Sequence, residues 1–224
     1  MNLKKRAENI RNRIIKTHYE TGYTHVGSSL SCVEILTVLF FEIMKPEDVF
    51  ILSPGHKSIA LYSTLMEKGI LKDIDLDKLG GHPYKNPDIG IHFTTGSLGH
   101  GLSLGAGCAL AGTRTFVLLS DGDMDEGSTM EAIKFAEKRK LRNLTAIVDC
   151  NGWQAYKKAE YSLPLFKNSW VANGHSFKSL SSAIKNNSLV FAKTTKGKGI
   201  PEIEDTLKSH YIKIDKKMYE KTIR

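Results

Sequence analysis

Cysteine is scarce in this 224-residue chain: Cys32, Cys108 and Cys150 form no CxxC pair and leave one over in any disulfide pairing. A disulfide-built scaffold is therefore excluded, and a reducing, cytoplasmic setting is expected. Proline is also sparse, at six residues, and no proline-rich or Gly/Ser-rich stretch divides the chain. No internal repeat is present, which excludes solenoids and propellers. The longest apolar run, residues 35–44, contains Glu42 and falls well short of the roughly 20 residues needed to span a bilayer. The opening residues lack the continuous apolar segment of a secretion signal, so a soluble protein with no membrane role is expected.

What is present suits one compact α/β domain over residues 1–224, since 41% of the residues are hydrophobic. An excess of 32 Lys+Arg over 24 Asp+Glu gives a net charge of +8. Such a field attracts phosphates or an acidic partner surface without naming either. Leu3, Ile10, Ile14 and Tyr19 recur at helical spacing among Lys4, Lys5, Arg6, Arg11, Arg13 and Lys16. This pattern reads as an amphipathic helix with a solvated basic face rather than a nucleic-acid-binding arm. Residues 31–44 read as a second, largely buried helix. Short apolar runs at 49–52, 115–119, 144–148 and 189–192 do not alternate with polar residues, as strands buried on both faces do not. A helical pattern over 127–140 joins two of them, so a βαβ crossover and an open, mainly parallel sheet with helices on both faces are expected. Ligands in such sheets lie beyond the carboxyl ends of the strands.

Two of those ends carry chemistry. One runs Ser120-Asp121-Gly122-Asp123-Met124-Asp125-Glu126, and the other Asp149-Cys150-Asn151-Gly152-Trp153. If the two strands are neighbours, Asp121 and Asn151 stand side by side, and with a backbone carbonyl they offer hard oxygen donors suited to Mg²⁺ or Ca²⁺ beside a phosphate. Asp123, Asp125 and Glu126 also fit as acids at a helix N-terminus. An EF-hand loop is excluded, because its required glycine and glutamate fall on Glu126 and Ala132. Gly96-Ser97-Leu98-Gly99-His100-Gly101, before a small-residue helix over 102–111, lets backbone approach a ligand closely but matches neither a P-loop nor the dinucleotide fingerprint. Close helix packing is the competing explanation of Gly105, Ala106 and Gly107. Gly101-Leu102-Ser103-Leu104-Gly105 is formally a GxSxG elbow, which keeps a serine hydrolase acting through Ser103 as a remote alternative, but the preceding segment is a poor strand. His25, His56, His82, His100, His175 and His210 fall in or beside loops, where histidines serve binding and catalysis more often than in apolar runs.

Together these segments resemble the diphosphate-binding half of a thiamine diphosphate enzyme, specifically the transketolase N-terminal region or a separate transketolase N-terminal subunit. The metal motif is matched by Asp121-Gly122 with Asn151 thirty residues on. Further matching segments are His25-Val26-Gly27-Ser28-Ser29-Leu30-Ser31, Leu52-Ser53-Pro54-Gly55-His56, Gly81-His82-Pro83, the Gly96 to Gly101 stretch, and Lys196-Gly197-Lys198-Gly199. They cover nearly the whole chain in family order. Ser120 stands in place of the motif's first glycine, Asn173-Gly174-His175-Ser176 departs from the usual Asp-Gly-His-Asp, and residues 151–193 look trimmed.

The resemblance implies a thiamine diphosphate-binding fold. It implies that Asp121, Asn151 and the main-chain carbonyl of Trp153 hold Mg²⁺, with Ca²⁺ or Mn²⁺ as substitutes. His56, Gly96, Leu98 and Gly122 are implied to lie against thiamine diphosphate. His25, His82 and His210 are implied to serve catalysis at the sugar or reacting carbonyl, and Glu126 to join an acidic network between paired sites. The implied activity is transfer of a two-carbon ketol unit from a ketose, phosphorylated or not, to an aldehyde. The implied partner is a transketolase C-terminal subunit in a heterotetramer, because the other half of such a site grips the aminopyrimidine and residues 211–224 are too few for that domain. A related synthase subunit using pyruvate and an inactive regulatory subunit are the alternatives. Retention of Asp121, Asn151 and the histidines argues against the inactive one.

Overall fold

The computed structural model describes residues 1–160 and 169–223. Its sheet has the strands β1 (Val49–Leu52), β2 (Thr115–Ser120), β3 (Leu144–Cys150), β4 (Ser169–Asn173) and β5 (Leu189–Lys193). They lie in the order β1-β2-β3-β5-β4 with every pair parallel. Each connection must therefore cross a face of the sheet, and all carboxyl ends meet at one edge. The helices are α1 (Leu3–Thr21), α2 (Val26–Ser31), α3 (Val33–Val38), α4 (Ser58–Glu67), α5 (Leu76–Leu79), α6 (His100–Leu110), α7 (Gly127–Arg139), α8 (Phe177–Asn186) and α9 (Lys216–Thr222).

Strand alternation divides the core in two. Phe50, Leu52, Phe116 and Leu118 pack with Ile10, Leu36, Ile59 and Leu180 of α1, α3, α4 and α8. Ile51, Val117 and Leu119 point the other way and pack under Leu102, Ala106 and Ile133 of α6 and α7. Burial on both faces explains why the strands read as unbroken apolar runs. The close-packing explanation holds for Gly105 of α6, where a Cβ would stand 2.4 Å from Val117 Cγ2, but not for Gly107, which faces open space.

Two expectations need correction, and elements not read from the sequence are added. The helix expected over 31–44 starts at Val33 as α3 and runs on as a π-helix over Leu39–Ile43, while Ser31 instead closes α2, a separate helix that meets α3 at Cys32. Near-continuous apolar character hid both the break and the change of pitch, since a helix buried all round has no polar phase to read. The basic face of α1 is only partly solvated: Lys4, Lys5 and Lys16 are exposed, whereas Arg11 Nη1 donates to Leu30 O at 3.1 Å and Lys198 O at 2.6 Å, and Arg13 Nη1 donates to Ser63 O at 3.2 Å. Finally, β4, α4 and α8 join the elements read from the sequence. Residues 161–168 of the trimmed stretch lie outside the described residues.

Candidate active site

At the carboxyl edge, the β2–β3 register pairs Ser120 with Asp149 and so brings the two following loops together. Asp121 and Asn151 do stand side by side: the Asn151 N–H donates to Asp121 Oδ2 at 2.9 Å, and both residues are buried. Asn151 Oδ1 accepts the Trp153 N–H at 3.1 Å, an Asx-turn that folds the chain back across the strand ends. Among the described residues no three His, Cys, Asp or Glu side chains gather to hold a metal. A cation placed here would meet one carboxylate, an amide oxygen and main-chain carbonyls, a hard donor set that would suit Mg²⁺ only with an anionic ligand completing it.

Beside this pair lies a cavity of about 500 Å³. Its lining includes nine of the ten site residues expected from the resemblance, and Asp121 sits buried beneath Gly122 and Asn151. His25, at the N-terminus of α2, has a left-handed backbone (φ 69°), which residues with a Cβ seldom adopt. Its ring is 5.3 Å from that of His56 and 4.9 Å from that of His210, and the latter two are 5.8 Å apart. His82 closes the group from the opposite loop, its Cδ2 so near Gly55 and Gly96 that a Cβ on either would come within 2.7 and 2.8 Å of it. Glu126 is exposed at the cavity rim. His100 and His175 are not in the lining. Ser103 lies exposed in the first turn of α6, with loop rather than strand before it, so the elbow geometry of a hydrolase is absent.

The cavity's electrostatics follow from burial. His25 is pushed down to about 4 by burial, with the nearby His82 and Lys196 adding to the shift. His210 falls to about 3 by burial, then by Lys196, His25 and Lys57. Burial, Lys57 and the other rings hold His56 well below its ordinary value, and burial lowers His82. All four imidazoles are therefore neutral near pH 7, able to donate or accept a hydrogen bond or proton rather than act as cations.

Two buried lysines, neither assigned a role from the sequence, supply the positive charge. Burial opposes the Lys57 ammonium, but its ion pair with Asp149 outweighs this and holds its pKa above the ordinary value. Asp149 also accepts the Ser31 hydroxyl at 2.5 Å and that of Thr194. Lys196 Nζ lies 3.1 Å from His210 Nδ1, and burial with Lys57 nearby lowers its pKa to about 8 against the pull of Asp121 and Asp149. Asp123, read from the sequence as a helix-terminus acid, is instead a buried hub. It accepts from Ser53 Oγ (2.6 Å), Gly99 N (2.9 Å), and Ser120 N and Oγ (2.8 and 2.7 Å). Lys196 falls in the Lys196-Gly197-Lys198-Gly199 segment, which was the available signal for it, whereas nothing local marks Lys57 or Asp123.

The family described as "Transketolase, thiamine diphosphate binding domain" matches residues 4–221. This chain belongs to the transketolase family. It is 35% identical to one subunit of the apulose-4-phosphate transketolase of Phocaeicola vulgatus, over 99% of this chain and 92% of that protein. It is 32% identical to "6-deoxy-6-sulfo-D-fructose transketolase subunit SqwG" of Clostridium sp. (strain MSTE9), over 100% of this chain and 95% of the relative. The alignment with the Phocaeicola protein runs over 261 positions, more than the 224 residues available here, so that transketolase subunit has segments this chain lacks. The transketolase of Campylobacter jejuni superposes with a TM-score of 0.81 at 25% identity, covering 97% of this chain but 42% of that one. The chain thus spans about two fifths of such a longer transketolase.

Proposed function

We propose that this chain is the diphosphate- and metal-binding subunit of a two-subunit, thiamine diphosphate-dependent transketolase that moves a two-carbon ketol unit from a ketose to an aldehyde. The observation that carries the reading is the Asp121–Asn151 contact beneath a cavity walled by four neutral histidines. Asp121, Asn151 and the Trp153 carbonyl hold Mg²⁺, and Gly122, without a side chain, leaves room for a diphosphate against the strand ends. His56 and the backbone of Gly96 and Leu98 bear on the cofactor, and the Lys196 ammonium offsets part of the diphosphate charge. Thiamine diphosphate, if bound, would supply a nucleophilic ring carbon and a cationic ring able to accept the electron pair of the cleaved carbon–carbon bond.

The protein's share is positioning and proton movement. Neutral His25 and His82 hydrogen-bond the ketose carbonyl and its neighbouring hydroxyl, and His210 passes the proton that leaves or joins the oxygen as the bond breaks. Burial that keeps these rings uncharged also makes each hydrogen bond stronger than in water. The names of the Phocaeicola and Clostridium relatives, both transketolase subunits, support a separate partner chain; that the partner completes the site in a cytoplasmic heterotetramer is part of the same proposal. Mixing the purified chain with a transketolase C-terminal subunit, cofactor and Mg²⁺ should produce ketose-to-aldehyde transfer that neither protein shows alone. Full turnover by the isolated chain would refute the two-subunit reading, and turnover of pyruvate but not of a ketose would refute the sugar reading.

A further inference from the structure

Two tyrosines outside the expected site stand at the cavity mouth. Tyr211 follows His210, and its ring meets His210 edge-on at 4.5 Å and His25 edge-on at 5.3 Å. It caps the rings that the proposed reaction uses, yet it remains 51% exposed. Tyr156 approaches from the other side, its ring 6.2 Å from that of Tyr211 and tilted against it. At 82% exposure, Tyr156 contributes little to the fold.

The turn bearing Tyr156 is braced from several sides. Gln154 N donates to Lys157 O at 2.9 Å and Ala159 N to Gly152 O at 2.9 Å, which closes the turn on itself. Trp153 Nε1 donates to Asp205 at 2.7 Å, and Gln154 Nε2 donates to Asp125 at 2.5 Å, which ties it to two separate loops. A large aromatic held out in solvent on a fixed support, over a polar cavity, is placed for a ligand rather than for packing.

Resting on the function proposed above, we infer that Tyr211 and Tyr156 form the wall along which a polyhydroxylated ketose chain lies, and so select sugars over short 2-oxo acids. Any substrate with its carbonyl among His25, His82 and His210 must extend outward past Tyr211 and then Tyr156. A sugar chain offers C–H edges to the ring faces and hydroxyls to the two phenols. A short apolar tail reaches neither the ring faces nor the phenols, so it gains none of these contacts and the preference for a sugar is the binding it alone receives.

The test uses the assembled enzyme with cofactor and Mg²⁺. Tyr211→Phe and Tyr156→Phe keep the rings and lose the hydroxyls. Each should raise KM for five- to seven-carbon ketoses by about three- to tenfold, the loss of one hydrogen bond, with kcat little changed. KM for 3-hydroxypyruvate, a donor without the polyol chain, and thiamine diphosphate affinity by calorimetry should not move. Tyr211→Ala, which also removes the ring against His25 and His210, should lower kcat as well. Unchanged ketose KM in both Phe variants, or equal changes for long and short donors, would overturn the inference. If the assembled wild type transfers no two-carbon unit, the proposed reaction fails, and the wall is then judged by binding of a five-carbon alditol, titrated through tryptophan fluorescence. Weaker binding by the Phe variants would support the wall, and equal binding would refute it.

Discussion

Three loops meet at one buried carboxylate. Asp123 joins Ser53 after β1, Ser120 at the end of β2 and Gly99 before α6, and these are the loops that carry His56, Gly122 and Leu98 to the cavity. Removing that carboxylate orphans several buried donors at once. Asp123→Ala should therefore cost about 3 kcal/mol or more. Asp125→Ala, two residues on and exposed, should stay within about 0.5 kcal/mol. Urea unfolding of the two variants decides between a hub and a mere helix-terminus acid; equal losses would favour the latter. Asp121 and Asn151 were legible in the sequence because a fixed spacing across two adjacent parallel strands leaves a linear trace. Asp123 and the Lys57–Asp149 pair left none. Lys57 and Asp149 are 92 residues apart, and only the folded sheet makes them neighbours.

At the scale of elements, the loop after β5 that carries Lys196 into the site is clamped at both ends by one relay. The Thr195 N–H donates to His175 Nε2 at 2.8 Å, and His175 Nδ1 lies 3.0 Å from Glu34 on α3. Arg11 on α1 binds the other oxygen of Glu34 at 2.5 Å and also the carbonyl of Lys198 at 2.6 Å. The neutral tautomer with its proton on Nδ1 satisfies both contacts of His175. His175→Leu should leave Thr195 N–H without its acceptor and loosen the loop. Amide hydrogen exchange at Thr195 and Gly197 should rise about tenfold or more, while amides of α6 stay protected. Unchanged protection at Thr195 would show that the clamp is not what holds the loop. His175 thus belongs to positioning, although as a loop histidine it looked like a candidate for the chemistry itself. The strands β1, β2, β3 and β5 were read to within two residues, because burial on both faces writes them as apolar runs, whereas β4, with Trp170, Val171 and Asn173 exposed, left no such run. The helix α4 was not, since it is buried nearly all round and its Ser58, Ser63 and Thr64 face the interior, leaving no period of 3.6 to find.

For the whole molecule, the parallel sheet gathers every strand's carboxyl end at one edge, and burial there turns imidazoles neutral while leaving two lysines to face anionic groups. Fold class and edge followed from the sequence, as did the identity of most cavity-lining residues. The aromatic mouth did not, because Tyr156 and Tyr211 come from segments with no periodic pattern and meet only across the cavity. The central claim is that Asp121 and Asn151 bind a divalent ion through which thiamine diphosphate is held. Calorimetric titration of thiamine diphosphate into the assembled enzyme tests it most directly, comparing wild type, wild type with EDTA, and Asp121→Ala at matched thermal stability. The account predicts binding that EDTA abolishes in the wild type and that Asp121→Ala lacks at any Mg²⁺ concentration. Unchanged, EDTA-resistant affinity in Asp121→Ala would contradict it.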